Sequence, residues 1–450
     1  MRKDMQETLK QHYDLVVFGA GPGGLSAAIV AARRGLRVAL VERSAMVAGT
    51  VNVGLCLHGF QDDHGNRVVG GVSWELIQRC IDEGGSTGPT HLQNAHMYST
   101  TPVDMAVLQK CALDMLEEAG VECWFHTLAT EPIVEGRRLA SVKAWSNSGE
   151  IEFIARSFVD ATGHADIAFR AGVPVRSGRF GDGAMQPMTL GLSMAPVDIT
   201  RMMEAIGEGF GMAVKPGMDA EDYVWFALNF TPWREQVEKI GIRLGDKGTC
   251  WGNSIYPKIV NLNAVKIIGM NGADARELSR AEVASRRIAV EFAKFMRENI
   301  PGFEEAYITR TSPYIGIRET RHIDGVYTLS DEDAIEGHIP DDSIALCGYP
   351  IDIHDPIDGA ARFQRVGGGR FGISFKSLVP TTLDNLLVSG RGISASDQAF
   401  GSVRVMGTCL AIGEACGYAA AMSKDTNANI GEMDGVVVRS ALEDAGVMMV

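Results

Sequence analysis

The first apolar runs of the chain are short and are separated by a glycine-rich turn. Residues 14–19 contain a continuous apolar run, which predicts a buried parallel strand. An alanine-rich helix is predicted over residues 23–34, and a second strand over residues 37–42. Together they predict that the chain opens with one βαβ unit.

Further along the chain, the hydrophobic pattern alternates between helical and strand periods. Helices are predicted over residues 73–83, 103–119, 197–207, 279–298 and 409–422, a hairpin over 139–160, and a buried strand over 386–390. We therefore predict an α/β fold with two domains. The first is a three-layer Rossmann-like domain built from residues 1–170 and 380–425, the second is a mixed α+β domain over 171–379, and residues 426–450 form a tail.

Composition and charge narrow the classes of partner. The 450 residues carry a formal charge of −14 with no basic run, which disfavours nucleic acid and anionic membranes as partners. No apolar run reaches the roughly 18 residues of a membrane helix. The first residues lack the apolar core of a signal peptide, so we expect a cytoplasmic protein. The eight cysteines form no CxxC pair and no zinc spacing, so we expect reduced thiols and no metal.

The turn after the first strand carries a nucleotide-binding motif. Gly19-Ala-Gly21-Pro-Gly23-Gly24 matches GxGxxG between a predicted strand and a predicted helix. The first glycine permits the turn, the second lets the backbone approach a pyrophosphate, and the third lets helix and strand pack closely. The first free N–H groups of the helix favour phosphate. These features predict dinucleotide binding.

Glu42 ends the second predicted strand, where a carboxylate accepts hydrogen bonds from a ribose diol. A 2′-phosphate would be repelled there, which disfavours an NADP-type ligand. A second GxGxxG match at residues 367–372 opens no helix, so we interpret it as a loop.

Several stretches together resemble the glutathione-reductase-type FAD proteins. They are the fingerprint at 19–24, the Asp-Ala-Thr-Gly segment at 160–163 and the glycine-rich stretch at 390–409. With the stretches at 69–71, 186–189, 316–321 and 349–352, they more narrowly resemble the FAD-dependent oxidoreductase family, which includes many bacterial enzymes. The resemblance covers most of residues 14–422 and specifies no substrate.

The resemblance implies FAD as the cofactor. It implies that residues 160–163 pass near the adenosine half and that residues 390–408 border the ribityl chain and the flavin ring. The predicted cofactor-binding residues are Gly19, Gly21, Gly23, Gly24, Glu42, Arg43, Thr50, Asn52, Ala161, Thr162, Gly163, Gly390, Arg391, Arg404, Val405 and Thr408.

Two features of related subclasses are missing. The Cys-x4-Cys pair of the disulfide reductases is absent, with only Cys56 in that region, and so is the GD-containing motif of the aromatic hydroxylases. No second convincing fingerprint marks an NAD(P)H domain. We therefore expect a dehydrogenase or reductase that exchanges electrons with a separate carrier.

Candidates for the chemistry lie in three segments. Arg318 and Arg321 could clamp a substrate carboxylate, or could instead form salt bridges. His354, among carboxylates, and His58, which the resemblance places beside the flavin, are candidate acid/base groups. Cys56 could form a flavin adduct, although a buried inert thiol is the more common outcome.

The predicted function is hydride transfer at flavin N5 to or from a small polar metabolite. Two alternatives remain open: elimination or isomerisation with no net redox change, and a nucleotide-binding redox subunit of a larger complex. A homo-oligomer is a further expectation.

Overall fold

The computed structural model describes residues 8–92, 97–206, 211–214, 224–243 and 249–447. The strands, in chain order, are β1 (Leu9–Phe18), β2 (Val38–Val41), β3 (Thr90–His91), β4 (Ser99–Thr100), β5 (Glu122–Trp124), β6 (Leu128–Glu135), β7 (Arg138–Ser146), β8 (Gly149–Asp160), β9 (Val175–Ser177), β10 (Met188–Ala195), β11 (Gly211–Val214), β12 (Val224–Asn229), β13 (Thr249–Ser254), β14 (Val260–Ile267), β15 (Tyr307–Thr311), β16 (Arg321–Ile323), β17 (Ser343–Cys347), β18 (Ile351–His354), β19 (Ala361–Gln364), β20 (Phe371–Ser374) and β21 (Leu386–Val388).

The helices confirm the main helical periods of the sequence. They are α1 (Pro22–Arg33), α2 (Gly71–Asp82), α3 (Met105–Ala119), α4 (Asp166–Arg170), α5 (Ile199–Ala205), α6 (Arg234–Lys239), α7 (Ala275–Asn299), α8 (Asp331–Glu336), α9 (Asp397–Val403), α10 (Met406–Thr426) and α11 (Gly435–Asp444). Helix α7 begins four residues before its predicted start, and α10 begins three residues before its own, which brings the N-terminus of α10 to the candidate site.

The first sheet has a parallel centre and an antiparallel flank. Strands β5, β2, β1, β8 and β21 are parallel neighbours, and β7 and β6 continue from the other half of β8 as an antiparallel meander. Strand β21 comes from the far end of the chain and pairs with residues 158–160. The predicted α/β fold is therefore observed, and its first sheet is built from segments that are far apart in the chain.

The two faces of β1 belong to different cores, which gives the domain its three layers. Leu15 and Val17 pack into a core with helices α1, α3 and α10, whereas Val16 and Phe18 face the meander and α4. Because successive side chains of a strand point to opposite faces, the apolar second half of β1 serves both layers.

The second sheet is antiparallel and lies over a separate core. Its strand order is β11-β12-β13-β14-β10-β15. The long helix α7 covers one face with Ala289, Phe292 and Met296, which pack with Leu190 and Leu262 of the sheet. This is the mixed α+β domain that the sequence predicts.

The hydrophobic cores divide the chain differently from the boundary at residue 379. Side chains between residues 329 and 379, including Leu346 and Phe371, belong to the core of the first domain. The tail also joins that core through Val438 and Leu442 of α11. Within the described residues, no single helix is long and apolar enough to span a membrane; only the bent pair α9–α10, taken together, meets those criteria.

A buried carboxylate joins α10 to α2. Glu414 accepts hydrogen bonds from the main-chain N–H groups of Val72 (3.0 Å) and Ser73 (2.7 Å), and from the Ser73 hydroxyl. These N–H groups lie in the first turn of α2, where backbone N–H groups have no hydrogen-bond partner within the helix. Burial nevertheless raises the pKa of Glu414 to about 7, because the ionised form loses more hydration than these contacts restore.

Glu414 should therefore make the stability of the protein depend on pH. Its folded pKa lies above the ordinary value of 4.5, so the folded state holds the proton more tightly and the free energy of unfolding falls as pH rises from about 4.5 to about 7. The shift corresponds to about 3 kcal/mol. Urea unfolding of Glu414→Gln at several pH values should show this fall largely removed. The exposed Glu117→Gln is the control, and an unchanged slope in Glu414→Gln would refute the assignment.

Candidate functional site

The glycines of the GxGxxG motif have different structural roles. Gly19 has a φ of +97°, and a Cβ there would lie 2.5 Å from the Ala161 carbonyl oxygen. A Cβ on Gly24 would lie 1.8 Å from the Gly19 carbonyl oxygen, so this glycine lets α1 pack on β1. Both are required by the turn itself.

Gly21 instead faces open space. The nearest atom to a Cβ built there is the Ala161 carbonyl oxygen at 3.8 Å. The space belongs to a cavity of about 440 Å³, which we name the glycine cavity. It is lined by the turn, by the ends of β2 and β8 and by residues 389–391. The backbone is therefore open to a ligand at the N-terminus of α1, where N–H groups favour phosphate.

Glu42 lies in the wall of the glycine cavity, as the ribose hypothesis requires. One carboxylate oxygen accepts a hydrogen bond from Ala20 N (2.9 Å), and the other from the backbone and hydroxyl of Ser44 (2.8 Å each). These bonds fix the carboxylate at the end of β2 beside the glycine turn.

A second cavity, of about 170 Å³, continues from the first toward the antiparallel sheet. We name it the arginine cavity because its lining includes Arg318, Arg391 and Arg404. The residues that line both cavities are Thr50, Ile317, Arg391, Arg404 and Met406. The two cavities thus form one elongated site that runs between the domains, with the N-terminus of α10 at the junction.

Asp352 organises the polar wall of the arginine cavity. It accepts hydrogen bonds from Arg404 (3.1 Å) and the Tyr349 hydroxyl (3.2 Å), and its other oxygen lies 3.4 Å from His354 Nε2. Burial alone would raise the pKa of Asp352, but His354, Arg404 and Arg318 outweigh it and lower the pKa. Asp352 is therefore an ionised carboxylate beneath the cavity.

The structure brings the two candidate histidines into the same cavity. His354 lies on β18, and burial lowers its pKa, which keeps the ring neutral. His58 lies on the loop after β2, with its ring centroid 5.4 Å from that of Tyr349. Tyr349 and Asp352 therefore connect two residues that are far apart in the sequence.

Several polar atoms in the wall have no hydrogen-bond partner among the described residues. They include Arg404 Nε, His354 Nδ1 and the side-chain oxygens of Asn253 and Asn263. Buried polar groups normally find partners. These atoms therefore fit a bound polar molecule, while the stacked rings of Trp225 and Trp251, with centroids 4.9 Å apart, form an apolar wall.

Most of the predicted cofactor residues line the site. Those that line the glycine cavity are Gly19, Gly21, Gly23, Glu42, Arg43, Thr50, Ala161, Thr162, Gly163, Gly390, Arg391 and Arg404, and Val405 lines the arginine cavity. Arg391 also donates to the Ile317 carbonyl oxygen, and burial lowers the pKa of its guanidinium to about 10.

Other predicted residues lie outside the two linings. Gly24 serves helix packing, and Asn52 is buried, with its amide donating to Val47 O (2.7 Å) and Gly49 O (2.9 Å). Thr408 donates to the Cys347 sulfur at 3.6 Å. Arg321 pairs with Asp166 at 2.9 Å, so the structure separates it from Arg318.

Sequence reasoning missed Thr189, Asn253 and Asn263. Thr189 accepts a hydrogen bond from Arg318 at 2.5 Å, and all three residues line the arginine cavity. Asn253 and Asn263 lie on the neighbouring strands β13 and β14. Both strands also contain other polar residues, so no signal in the sequence singles these two asparagines out.

A glycine turn between a parallel strand and a helix, with an acid at the end of the next strand, defines a dinucleotide-binding α/β protein. The second cavity, over the junction of the two domains, adds a place for chemistry. The chain belongs to the FAD dependent oxidoreductase family, whose model matches residues 14–442. FAD is therefore its cofactor, and the unpartnered Arg404 Nε and the open side of Gly21 fit that group.

Curated relatives match parts of the chain. Dihydrolipoyl dehydrogenase 3 of Pseudomonas aeruginosa is 30% identical over 204 residues, which are 45% of this chain and 39% of that protein. Digeranylgeranylglycerophospholipid reductase 2 of Methanococcoides burtonii is 28% identical over 169 residues, or 34% of this chain and 39% of that protein. In both relatives the matched part is well under half of the protein.

Solved structures share the fold over nearly all of the chain. A geranylgeranyl bacteriochlorophyll reductase-like protein from Thermoplasma acidophilum matches with a TM-score of 0.50 at 13% identity, covering 97% of this chain and 84% of that one. A triple mutant of the flavin-dependent brominase Bmp2 gives the same score and identity, with 96% and 84% coverage. At this identity, the similarity establishes the fold alone.

Proposed function

We propose that the protein is an FAD-dependent dehydrogenase or reductase of a small polar metabolite that bears a carboxylate. The observation that carries the proposal is the charge of the arginine cavity. Its described lining holds three guanidinium groups, Arg318, Arg391 and Arg404, against one carboxylate, Asp352. A cavity with excess positive charge is stabilised by an anion, and guanidinium binds carboxylates with two parallel hydrogen bonds.

Arg318 is the best-placed anion ligand. One of its terminal nitrogens donates to Pro187 O (2.6 Å) and Thr189 Oγ1 (2.5 Å), which fixes the plane of the guanidinium. Burial lowers its pKa to about 10, so it remains charged at neutral pH. The buried Lys266 adds nearby positive charge, although burial lowers its pKa to about 8.

The site residues divide between holding the cofactor and handling the substrate. The glycine cavity would hold the diphosphate at Gly21 and the ribose at Glu42, and the junction residues Thr50, Arg391 and Met406 would border the flavin ring. FAD supplies hydride exchange at N5. The N-terminus of α10 adds positive potential at the junction.

Proton handling would fall to His354. Its ring is neutral, Nε2 faces Asp352, and Nδ1 has no partner among the described residues. A neutral imidazole with one nitrogen oriented by a carboxylate can exchange a proton through the other nitrogen. Electrons would pass to or from a separate carrier.

Anaerobic titration of the purified holoenzyme tests the reaction class. Oxidised protein would be mixed with hydroxy acids, with amino acids and with the corresponding amides. Protein that has first been reduced with dithionite would be mixed with enoates and with their amides. The flavin spectrum would be followed in both cases. A lasting change with a carboxylate, and not with its amide, supports the proposal. Turnover without a lasting change would instead favour elimination or isomerisation, and no turnover of any compound would favour a redox subunit.

Replacing Arg318 should weaken use of the anionic substrate. For Arg318→Gln we expect kcat/KM to fall about 100-fold, mainly through KM, since a charge-assisted hydrogen bond contributes up to about 3 kcal/mol. Steady-state kinetics with the carboxylate and amide forms of one substrate would measure the loss, which should be confined to the carboxylate.

Two further variants sharpen this experiment. If Arg318 and Arg321 together clamped the substrate, replacing either one by glutamine should lower kcat/KM equally. The lining of the arginine cavity instead predicts a lower kcat/KM for Arg318→Gln alone. Arg286→Gln, on the outer side of α7, controls for removal of an arginine from the same domain. An unchanged KM in Arg318→Gln would exclude the proposed anion site.

A further inference from the structure

Cys56 and His58 form a paired thiol and imidazole in the wall of the arginine cavity. The Cys56 sulfur lies 3.6 Å from His58 Nε2, and both residues line the cavity. His58 Nδ1 lies 2.9 Å from the Ser99 carbonyl oxygen, which can only accept a hydrogen bond. Nδ1 therefore carries hydrogen, and Nε2 presents its lone pair to the thiol.

This arrangement favours transfer of the thiol proton to the ring. Burial alone would raise the pKa of Cys56, but His58 and a hydrogen bond from Thr100 outweigh it and lower the pKa. Burial alone would lower the pKa of His58, but the contacts with Cys56 and Ser99 outweigh burial and raise that pKa. A lowered thiol pKa is the mark of a reactive cysteine.

The other seven cysteines provide an internal comparison. Burial raises the pKa of each of them, and none has a histidine among the groups that shift its pKa. Cys409 is the closest match because it lines the glycine cavity, yet burial raises its pKa to about 12. Only the Cys56 position combines a cavity, a base and nearby guanidinium groups.

We propose that Cys56 is a nucleophile whose proton is held by His58, and that the arginine cavity presents to it small carboxylates with an electrophilic carbon close to the carboxylate. The anion site is the one in the proposed function, and the covalent step is additional to it. With a haloacetate, the sulfur forms a bond to the CH2 carbon, the carbon–halogen bond breaks and the halide leaves, while the thiol proton stays on His58 Nε2.

Alkylation of the FAD-loaded protein with iodoacetate and iodoacetamide tests the proposal. Peptide mass spectrometry would give the rate at each cysteine, with glutathione as the reference thiol. We expect Cys56 to react at least about tenfold faster than Cys409. We also expect its iodoacetate-to-iodoacetamide rate ratio to exceed that of glutathione about tenfold, because iodoacetate carries the charge that the guanidinium groups bind.

Variants separate the base from the anion site. His58→Gln should slow both reagents, whereas Arg318→Gln should slow iodoacetate alone and lower the rate ratio toward that of glutathione. Circular dichroism and FAD content would verify the fold of each variant. Labelling spread evenly over the cysteines, no labelling of Cys56, or an unchanged rate in His58→Gln would overturn the proposal.

The pH dependence in the wild-type protein gives a readout that needs no variant. Between pH 6 and 8, an ordinary thiol with a pKa of about 8.5 gains nearly a hundredfold in thiolate. The Cys56 rate should change less than tenfold. Of the other groups facing this pair, Tyr349 has its pKa raised by burial, Asp352 has a lowered pKa, and Arg318 stays charged, so all three keep one state over this range. A change as steep as that of glutathione would overturn the proposal.

The alkylation of Cys56 can be tested separately from the flavin reaction of the proposed function. Alkylation at Cys56 with no carboxylate-dependent flavin change would leave the nucleophile in place and remove the proposed function. A carboxylate-dependent flavin change with an unreactive Cys56 would do the reverse.

Discussion

Gly21→Val should give a folded protein that binds FAD at least about 1,000-fold more weakly than the wild type. Gly21 has φ −64° and ψ 179°, a conformation that valine adopts without strain. Apart from the chain neighbours, no atom lies closer than 3.8 Å to the position of its Cβ, so the added Cβ meets no clash in the apoprotein. The added methyl groups would fill the space where the diphosphate meets the backbone. The loss corresponds to about 4 kcal/mol of binding free energy.

Flavin fluorescence titration of apoprotein would measure this loss, with circular dichroism to establish that the variant is folded. Gly24→Ala is the contrasting substitution, since its Cβ would lie 1.8 Å from the Gly19 carbonyl oxygen. We expect that variant to unfold or to lose about 3 kcal/mol of stability or more, because overlap with a main-chain atom is not relieved by a side-chain rotation. FAD affinity within tenfold of wild type in Gly21→Val would refute the placement of the diphosphate.

Asp352→Asn should be the most damaging isosteric change in the arginine cavity. The variant leaves the charges of Arg404 and Arg318 without the buried carboxylate that balances them. It also weakens the hydrogen bond from Tyr349 and the electrostatic contact with His354. Removing one partner of a buried ion pair costs about 3–5 kcal/mol. Guanidinium unfolding should show that loss, and turnover should fall with it because His354 loses its orienting carboxylate.

The loss of stability in Asp352→Asn should also depend on pH. The pKa of Asp352 is lowered in the folded state from an ordinary value of 3.8, so its contribution is present above about pH 4 and is lost as pH falls further. The stability difference between wild type and Asp352→Asn should therefore narrow at acidic pH. Asp182→Asn weakens an exposed pair with Arg179 and should cost far less stability, because solvent screens exposed ion pairs. Equal costs for the two variants would contradict the buried network.

The two histidine candidates illustrate the limits of reasoning from local sequence. His354 is a candidate because carboxylates neighbour it in the chain, and His58 because the family resemblance places it beside the flavin. Neither argument indicates that Tyr349 and Asp352 connect the two histidines. The structure also separates two arginines that were grouped as one candidate clamp. Arg318 and Arg321 are three residues apart, yet one lines the cavity and the other bonds Asp166 and lies over the Phe169 ring. Proximity in sequence did not imply a shared site.

The domain boundary shows a similar limit. Residues 329–379 carry a mixed pattern that assigned them to the second domain, but their apolar side chains complete the first core. A hydrophobic period shows that a face is buried, and it does not say which partner covers it. The predicted tail shows the same limit, since its pattern names no partner and yet Val438 and Leu442 are fully buried.

The sequence by itself determined the βαβ opening, the roles of the three glycines and the position of Glu42, because each depends on backbone conformation and spacing within a short segment. The cofactor class followed from the resemblance of several stretches to a known family. Only the tertiary structure decided that the glycine and arginine cavities are continuous, and that Cys56, Arg318, Asp352 and His354 share one wall. It also decided the protonation states there, because desolvation and the charges of distant segments set a pKa, and neither is encoded locally.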